Sequence, residues 1–427
     1  MKDAARLQSV IEILTLEGSE KKPLDQICHR YFKTRRFIGS KDRQAISALV
    51  YSIIRQRASC DWWALERGVS PLLMLPYEAA RVRLISYLWV FDKMPRKTFG
   101  VLFSGDKYAP EKLFDKEQAI FEVLPTRENI PPWVEGEFPE WLFPLLKRRF
   151  GSQLKEEVQA FLQMAPLDLR TNLLKTTREE VLKALSTAGL KVEKTPLSPW
   201  GLRLHGRENI TQTQAFQKGL VEVQDEGSQL IAGLIAPKAG QTVLDLCAGA
   251  GGKTLALAAL LDNKGRLVAT DTALWRLKRT KERLKRAGVF NVEIREISGM
   301  TDKWLKRQKE RFDHVLVDAP CSGSGTWRRN PDKKWTLTPK DLSELSALQQ
   351  VLLAGAAPLV KPGGSLVYAT CSLFYEENED VVATFLKDHP TFKVIPCGLK
   401  GERFLFLSPF QHGTDGFFAA KFIKSAP

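Results

Sequence analysis

The chain has 427 residues, 44% of them apolar and 26% charged, the make-up of a folded protein long enough for two or three hydrophobic cores. Lysine and arginine outnumber aspartate and glutamate by 64 to 49, and the resulting formal charge of +15 favours a polyanionic partner, nucleic acid ahead of an anionic membrane surface. No apolar run approaches the roughly 18 residues of a membrane span, the opening MKDAARLQSV is charged rather than signal-like, and six dispersed cysteines without a C-x-x-C pair point to neither a disulfide framework nor a metal site; a soluble, cytoplasmic protein with free thiols is expected.

In chain order, AARLQSVIEILTLE places Leu7, Val10, Ile11 and Leu14 at helical spacing, and SKDRQAISALVYSIIRQR does the same with Ile46, Leu49, Val50, Ile53 and Ile54. Residues 1–125 therefore read as an all-helical domain. The prolines of RENIPPWVEGEFPEW mark a connector. Residues 126–220 hold a strand (LDLRTNLLK), a helix opened by Thr176 and Thr177 (TTREEVLKALSTAGL) and a second short strand (LRLHG), which suits a small α+β linking domain. From 221 to 427 strands and helices alternate: TVLDL, GKTLALAALL, RLVATD, WRLKRTKERLKRAG, HVLVDAP, SELSALQQVLLAGAAPLV, SLVYATC, FLFLSPF and GFFAAKF. That alternation predicts an α/β domain with a largely parallel sheet, whose ligands bind beyond the carboxyl ends of the strands.

The first loop at such an end is Cys247, Ala248, Gly249, Ala250, Gly251, Gly252, Lys253. Its glycines permit a tight turn and close backbone approach just ahead of a helix N-terminus. The triphosphate-binding pattern needs glycine at the position of Cys247, so a nucleoside-containing cofactor other than a triphosphate is favoured. Asp271, about 20 residues on at the end of the next strand, is placed to hold two ribose hydroxyls; the alternative is that it caps the following helix. Cys321 in DAPCSGSGTWRRNPDKKW and Cys371 in VYATCSL follow strands expected to be neighbours, so both face one cleft. A free cysteine is more often a small core residue, but Asp318, Pro320 and the SGSG run beside Cys321, with Thr370 and Ser372 beside Cys371, do not read as core.

VQDEGSQL, LDLCAGAGGKT, DAPCSGSGTWRRNPDKKW, YATCSLFYEENED and TDGFFAAKF, in this order, resemble the RsmB-like (Sun/NOP2-type) RNA cytosine-C5 methyltransferases over about half the chain. The resemblance implies a Rossmann-like class I methyltransferase domain using S-adenosylmethionine, with Cys371 as nucleophile, Cys321 assisting product release and Asp318 touching the target base as well as the cofactor. Residues 1–125 resemble, more loosely, the helical NusB-like domain of bacterial 16S ribosomal RNA members, and the segment with Arg170 and Asn172 resembles their small joining domain. Two positions depart from the pattern: Ala250 stands where the family usually has proline, and Ser298 where it typically has an aspartate for the adenine amino group, a weaker partner than a carboxylate.

Two thiols suit this chemistry. A thiolate adding to C6 of cytosine makes C5 nucleophilic, Asp318 stabilises the adduct at N3 or the exocyclic amine, and Cys321 serves as base or relay for the C5 proton. Arg328, Arg329, Lys333 and Lys334 are expected to hold phosphates, and Trp327 or Trp335 either stacks a base or is buried packing. The expected activity is methylation of a cytosine in RNA, 16S ribosomal RNA or an assembling small subunit ahead of transfer RNA, by a monomer without metal. A non-catalytic RNA-binding assembly factor is the alternative, against which Cys371, Cys321, Asp318 and Asp271 are all intact.

Overall fold

In the computed structural model, which describes all residues except 21, 123–128, 207–208 and 427, the amphipathic patterns of the first third form helices at Asp3–Ser19, Leu24–Thr34, Ser40–Arg55, Arg57–Leu65 and Pro76–Val90. Val10, Ile11, Ile13, Leu14, Ile46, Val50, Ile53 and Ile54 point into one core. The expected boundary at 125/126 lies outside the described residues. Helices continue beyond the connector, at Phe143–Phe150 and Leu154–Leu162, since Leu142, Leu146, Phe150 and Phe161 repeat at helical spacing and are buried.

This first compact unit comprises Met1–Leu162 and also Trp327–Leu337, a strap from far along the chain. The Asp332 carboxylate accepts the backbone N–H of Leu24 at a helix start (3.0 Å), Trp335 donates its indole N–H to the Ile54 carbonyl (3.1 Å), and Arg55 donates to the Arg328 carbonyl (2.6 Å). Trp327 is buried edge-on to Phe161, their ring centroids 5.9 Å apart. Lys334 is 3% exposed and shares the interior with Glu137, whose carboxylate also accepts the N–H groups of Ala58 and Ser59. Burial pushes the Lys334 ammonium down and the Glu137 carboxyl up, and each charge partly offsets the other's shift. The expectation of phosphate contacts is corrected for Arg328 and Lys334, which are buried, and Trp327 is buried packing; Arg329, Lys333 and Trp335 are half-buried. At the buried positions of this segment, rich in arginine, lysine and tryptophan, long side chains and a ring fill helical packing.

The second unit comprises Gln163–Thr326 and Thr338–Pro427. Its smaller sheet has strands β1 (Leu167–Thr171), β2 (Val192–Lys194), β3 (Gly201–Leu204) and β4 (Val221–Val223), all antiparallel, in the order β2-β3-β1-β4. Thr177 caps the helix Arg178–Thr187 through a reciprocal pair with Glu180, as the TTREE run predicts. The larger sheet adds β5 (Thr242–Asp245), β6 (Arg266–Asp271), β7 (Val292–Glu296), β8 (Phe312–Asp318), β9 (Val360–Thr370), β10 (Phe392–Ile395), β11 (Leu405–Leu407) and β12 (Phe417–Lys424). Its order is β10-β12-β9-β8-β5-β6-β7, with β11 on β12; β5 to β9 are mutually parallel, and β12 pairs antiparallel with β9, β10 and β11. This is the Rossmann-like α/β fold, and the strand order reverses direction at β5 beside β8. β8 and β9 are neighbours, with Asp318 opposite Ala369, so the loops bearing Cys321 and Cys371 leave the sheet side by side. Among the described residues no helix is long and apolar enough to cross a membrane.

Candidate active site

A cavity of about 490 Å³ opens at the carboxyl ends of β5, β6, β7 and β8, within the size range of small-ligand sites. Of the loop after β5, Cys247, Ala248, Gly249, Ala250, Gly252 and Lys253 line it, together with Asp271 and Asp318. Gly251 does not. It holds a left-handed backbone (φ +78°) at the start of the helix Gly252–Leu260, and a Cβ there would stand 2.4 Å from the Thr280 methyl carbon. Gly251→Ala is therefore expected to lower stability by more than ~1 kcal/mol, read as a drop in melting temperature.

Asp271 lines the cavity, and its two oxygens accept the N–H groups of Gly249 (2.9 Å) and Ala273 (2.8 Å), so it ties the glycine loop to the residue that precedes the next helix, whose N-cap carries no side-chain hydrogen bond. Ile297, Met300, Leu348, Val351 and Leu352 give the cavity an apolar wall. Ser298 lies off it: its side chain is exposed, and both its N–H and hydroxyl donate to Asp302, which also caps the helix Lys303–Lys306. The Ser298 donors are thus both spent on Asp302.

The two cysteine sulfurs are 3.3 Å apart. Cys321 is pushed well above the ordinary thiol range by its hydrogen bond to Cys371, by burial, and by the charges of Cys371 and Glu377. Lys253 donates to Asp318 at 2.7 Å. Burial alone would lower the Lys253 ammonium, but Asp318, with smaller contributions from Cys371 and Asp245, outweighs it and raises it, so Lys253 is held as a cation within electrostatic reach of Cys371. The structure thus brings Cys321 and Cys371 into contact with each other and pairs Lys253 with Asp318 on the cavity wall, while the two cysteines are not among the residues lining the cavity. All six cysteines are free of disulfides.

Supporting residues come from the smaller sheet and were not singled out for the site by sequence pattern. Arg170 of β1, fully enclosed, donates to the Gln224 amide oxygen and to the Gly252 carbonyl (both 2.8 Å); burial lowers its guanidinium to about 10, against the opposing pull of Glu222. Glu222 in β4 receives Arg283 and Arg286, and Arg283 also donates to the Ala250 carbonyl at 2.6 Å. These contacts fix the outer edge of the glycine loop. The one available signal was a run of charged residues inside short apolar strands, where a buried charge needs a partner.

Residues 232–423 match the family model described as 16S rRNA methyltransferase RsmB/F, and residues 138–211 match the ferredoxin-like domain of RsmF/B-like methyltransferases. A probable ribosomal RNA small subunit methyltransferase B from Synechocystis sp. is 33% identical over 417 residues, covering 91% of this chain and 92% of the relative. A protein of the same description from Bacillus subtilis is 36% identical over 416 residues, with the same shares. The chain belongs to the 16S rRNA methyltransferase RsmB/F family. The crystal structure of PH0851 shares the RsmB/F-like fold of this chain with a TM-score of 0.84, 31% identity and 99% coverage of both chains. As a methyltransferase of this family and fold, the present chain uses S-adenosylmethionine as its cofactor.

Proposed function

We propose that this RsmB/F-family chain methylates C5 of a cytosine in 16S ribosomal RNA, in the cytoplasm, on free RNA or an assembling small subunit, through a covalent bond between Cys371 and C6 of the base. The observation that carries the reading is the 3.3 Å contact of the Cys371 and Cys321 sulfurs, on the loops that leave β8 and β9 where Asp318, paired with Lys253, and Pro320 line the cavity. Names of the relatives support the RNA class.

The donor set of the cavity fits the cofactor. Asp271 offers acceptors for the ribose hydroxyls, the apolar wall of Ile297, Met300 and Leu352 suits a purine face, and Gly249 leaves open space where a side chain would intrude. When bound, S-adenosylmethionine supplies the methyl group that C5 accepts. Cys371 as thiolate forms the S–C6 bond, and Lys253 favours that thiolate by its charge. Asp318, oriented by Lys253, hydrogen-bonds the base edge and stabilises the adduct. Once the Cys371 charge is consumed in the S–C6 bond, one cause of the tight hold on the Cys321 proton disappears, which suits Cys321 to relay the C5 proton before the S–C6 bond breaks.

Asp271→Ala is expected to weaken S-adenosylmethionine binding by roughly 1.5 to 3 kcal/mol, the worth of hydrogen bonds to a charged group; calorimetry giving unchanged affinity would remove Asp271 from the ribose site. Bisulfite sequencing of RNA from a deletion strain tests the reaction itself. One 16S cytosine should lose its protection, whereas a lost mark confined to transfer RNA, or no lost mark at all, overturns the substrate or the activity.

A further inference from the structure

Behind the two thiols lies a polar cluster that the proposed reaction does not use. The residue after each cysteine is a serine, and both serine hydroxyls donate to the same oxygen of Glu377: Ser322 at 2.5 Å and Ser372 in a still closer contact. The other Glu377 oxygen accepts the Ser322 backbone N–H (2.8 Å) and the Gln349 side-chain amide (2.9 Å), and Gln349 in turn donates to the carbonyl of Pro320. Ser324 extends the link, accepting the Leu373 N–H at 2.8 Å, and Gly325 donates its N–H to the Cys371 carbonyl at 2.9 Å. Tyr368 and Asn378 anchor the far side: the phenol donates to the Glu377 carbonyl, and the amide donates to that of Ser372.

Glu377 is fully buried. Among the described residues no lysine or arginine pairs with it, and its four hydrogen bonds come from neutral groups. A buried carboxyl without a cation is costly and is a poor way to gain stability. What it does provide is a single point fixing two loops that come from different strands. Loops are the mobile part of most sites, and an error of about 1 Å in a reacting group costs on the order of a hundredfold in rate.

We infer that Glu377 is a positioning residue: by binding Ser322 and Ser372 together it holds the Cys321 and Cys371 sulfurs in contact, and its negative charge behind Cys321 directs ionisation of the pair to Cys371. Cys371, Glu377, the Tyr368 phenol and the Gly323 N–H all act on the Cys321 thiol, and Lys253, held by Asp318 at 2.7 Å, lies within electrostatic reach of Cys371. The inference rests on the covalent role proposed for Cys371, but its first readout does not.

Alkylation of the free, full-length protein by iodoacetamide, followed peptide by peptide across neutral to alkaline pH, reads each thiol separately without RNA. The wild-type protein should show Cys371 reacting at lower pH and Cys321 lagging. In Glu377→Gln, which keeps size and hydrogen bonding but removes the charge, the Cys321 midpoint should fall toward that of Cys371. Single-turnover methyl transfer should slow roughly tenfold to a hundredfold, with S-adenosylmethionine affinity unchanged. Ser322→Ala and Ser372→Ala each remove one hydroxyl from the clamp, and each should slow methyl transfer with folding intact, so the test survives a Glu377→Gln protein that does not fold. A Cys321 midpoint unchanged from wild type in the Gln variant, or wild-type turnover in both serine variants, overturns the inference. Methyl transfer persisting in Cys371→Ala instead overturns the covalent reading, whatever the alkylation order.

Discussion

Cys371→Ala is expected to reduce methyl transfer by roughly four orders of magnitude or more, the scale seen when a covalent nucleophile is removed, and to leave no protein–RNA adduct. Cys321→Ala should still attack and still methylate, because Cys321 acts only after the methyl group has moved. Its release should be slow, so it accumulates a complex that survives denaturing electrophoresis and requires both S-adenosylmethionine and Cys371 to form. The 3.3 Å separation of the sulfurs makes this a test of role and not of proximity, since either thiol lies at the same place in the cluster. Trapping by the Cys371→Ala protein and none by Cys321→Ala would reverse the assignment. Thiols that serve only packing predict a third pattern, two active proteins of lower stability.

The second large effect is on folding. Lys334→Ala should destabilise the protein by about 3 to 5 kcal/mol, because it leaves Glu137 buried without its compensating charge, and Glu137 also secures the N–H groups of Ala58 and Ser59 at the start of a helix. Denaturant unfolding measures it. The double variant Glu137→Gln with Lys334→Met, which removes both charges and keeps volume, should recover much of the loss. A loss below about 1 kcal/mol for Lys334→Ala would mean that the ammonium reaches water. The strap also bears on dissection of the chain. Removing residues 1–125 takes away Leu24, Ile54 and Arg55, the partners of Asp332, Trp335 and Arg328. Such a truncation exposes Trp335 and strands polar groups, so weaker RNA binding by it would not isolate a role of the helices. Charge-neutral changes on the intact chain are the cleaner comparison.

Much of the site was legible in the sequence for a local reason. A strand followed by a short loop fixes where a residue leaves a parallel sheet, so Asp271, Asp318, Cys321 and Cys371 could each be placed at a strand end, and the adjacency of β8 and β9 brought the two cysteines together. The capping pair Thr177 and Glu180 and the turn at Gly251 are equally local, set by side-chain reach and by backbone sterics. Ser298 shows the limit, since its pairing with a carboxylate four residues on, at Asp302, is not marked by any pattern in the sequence.

The sequence by itself determined the order of elements, the family, the glycine loop and the identity of the two thiols, because these depend on periodicity, steric permission and reactive groups that no neighbour can change. Tertiary structure alone decided which charges are exposed. Arg328 and Lys334 read as phosphate ligands until the fold buried them in helical packing, Arg170 read as a small-domain residue until it met the Gly252 carbonyl, and Glu377 had no assigned part until two serines from different strands converged on it. The physical reason is that a charged side chain takes its role from its solvent exposure and its partners, and both are set by segments distant in the sequence whose approach is decided only when the cores close.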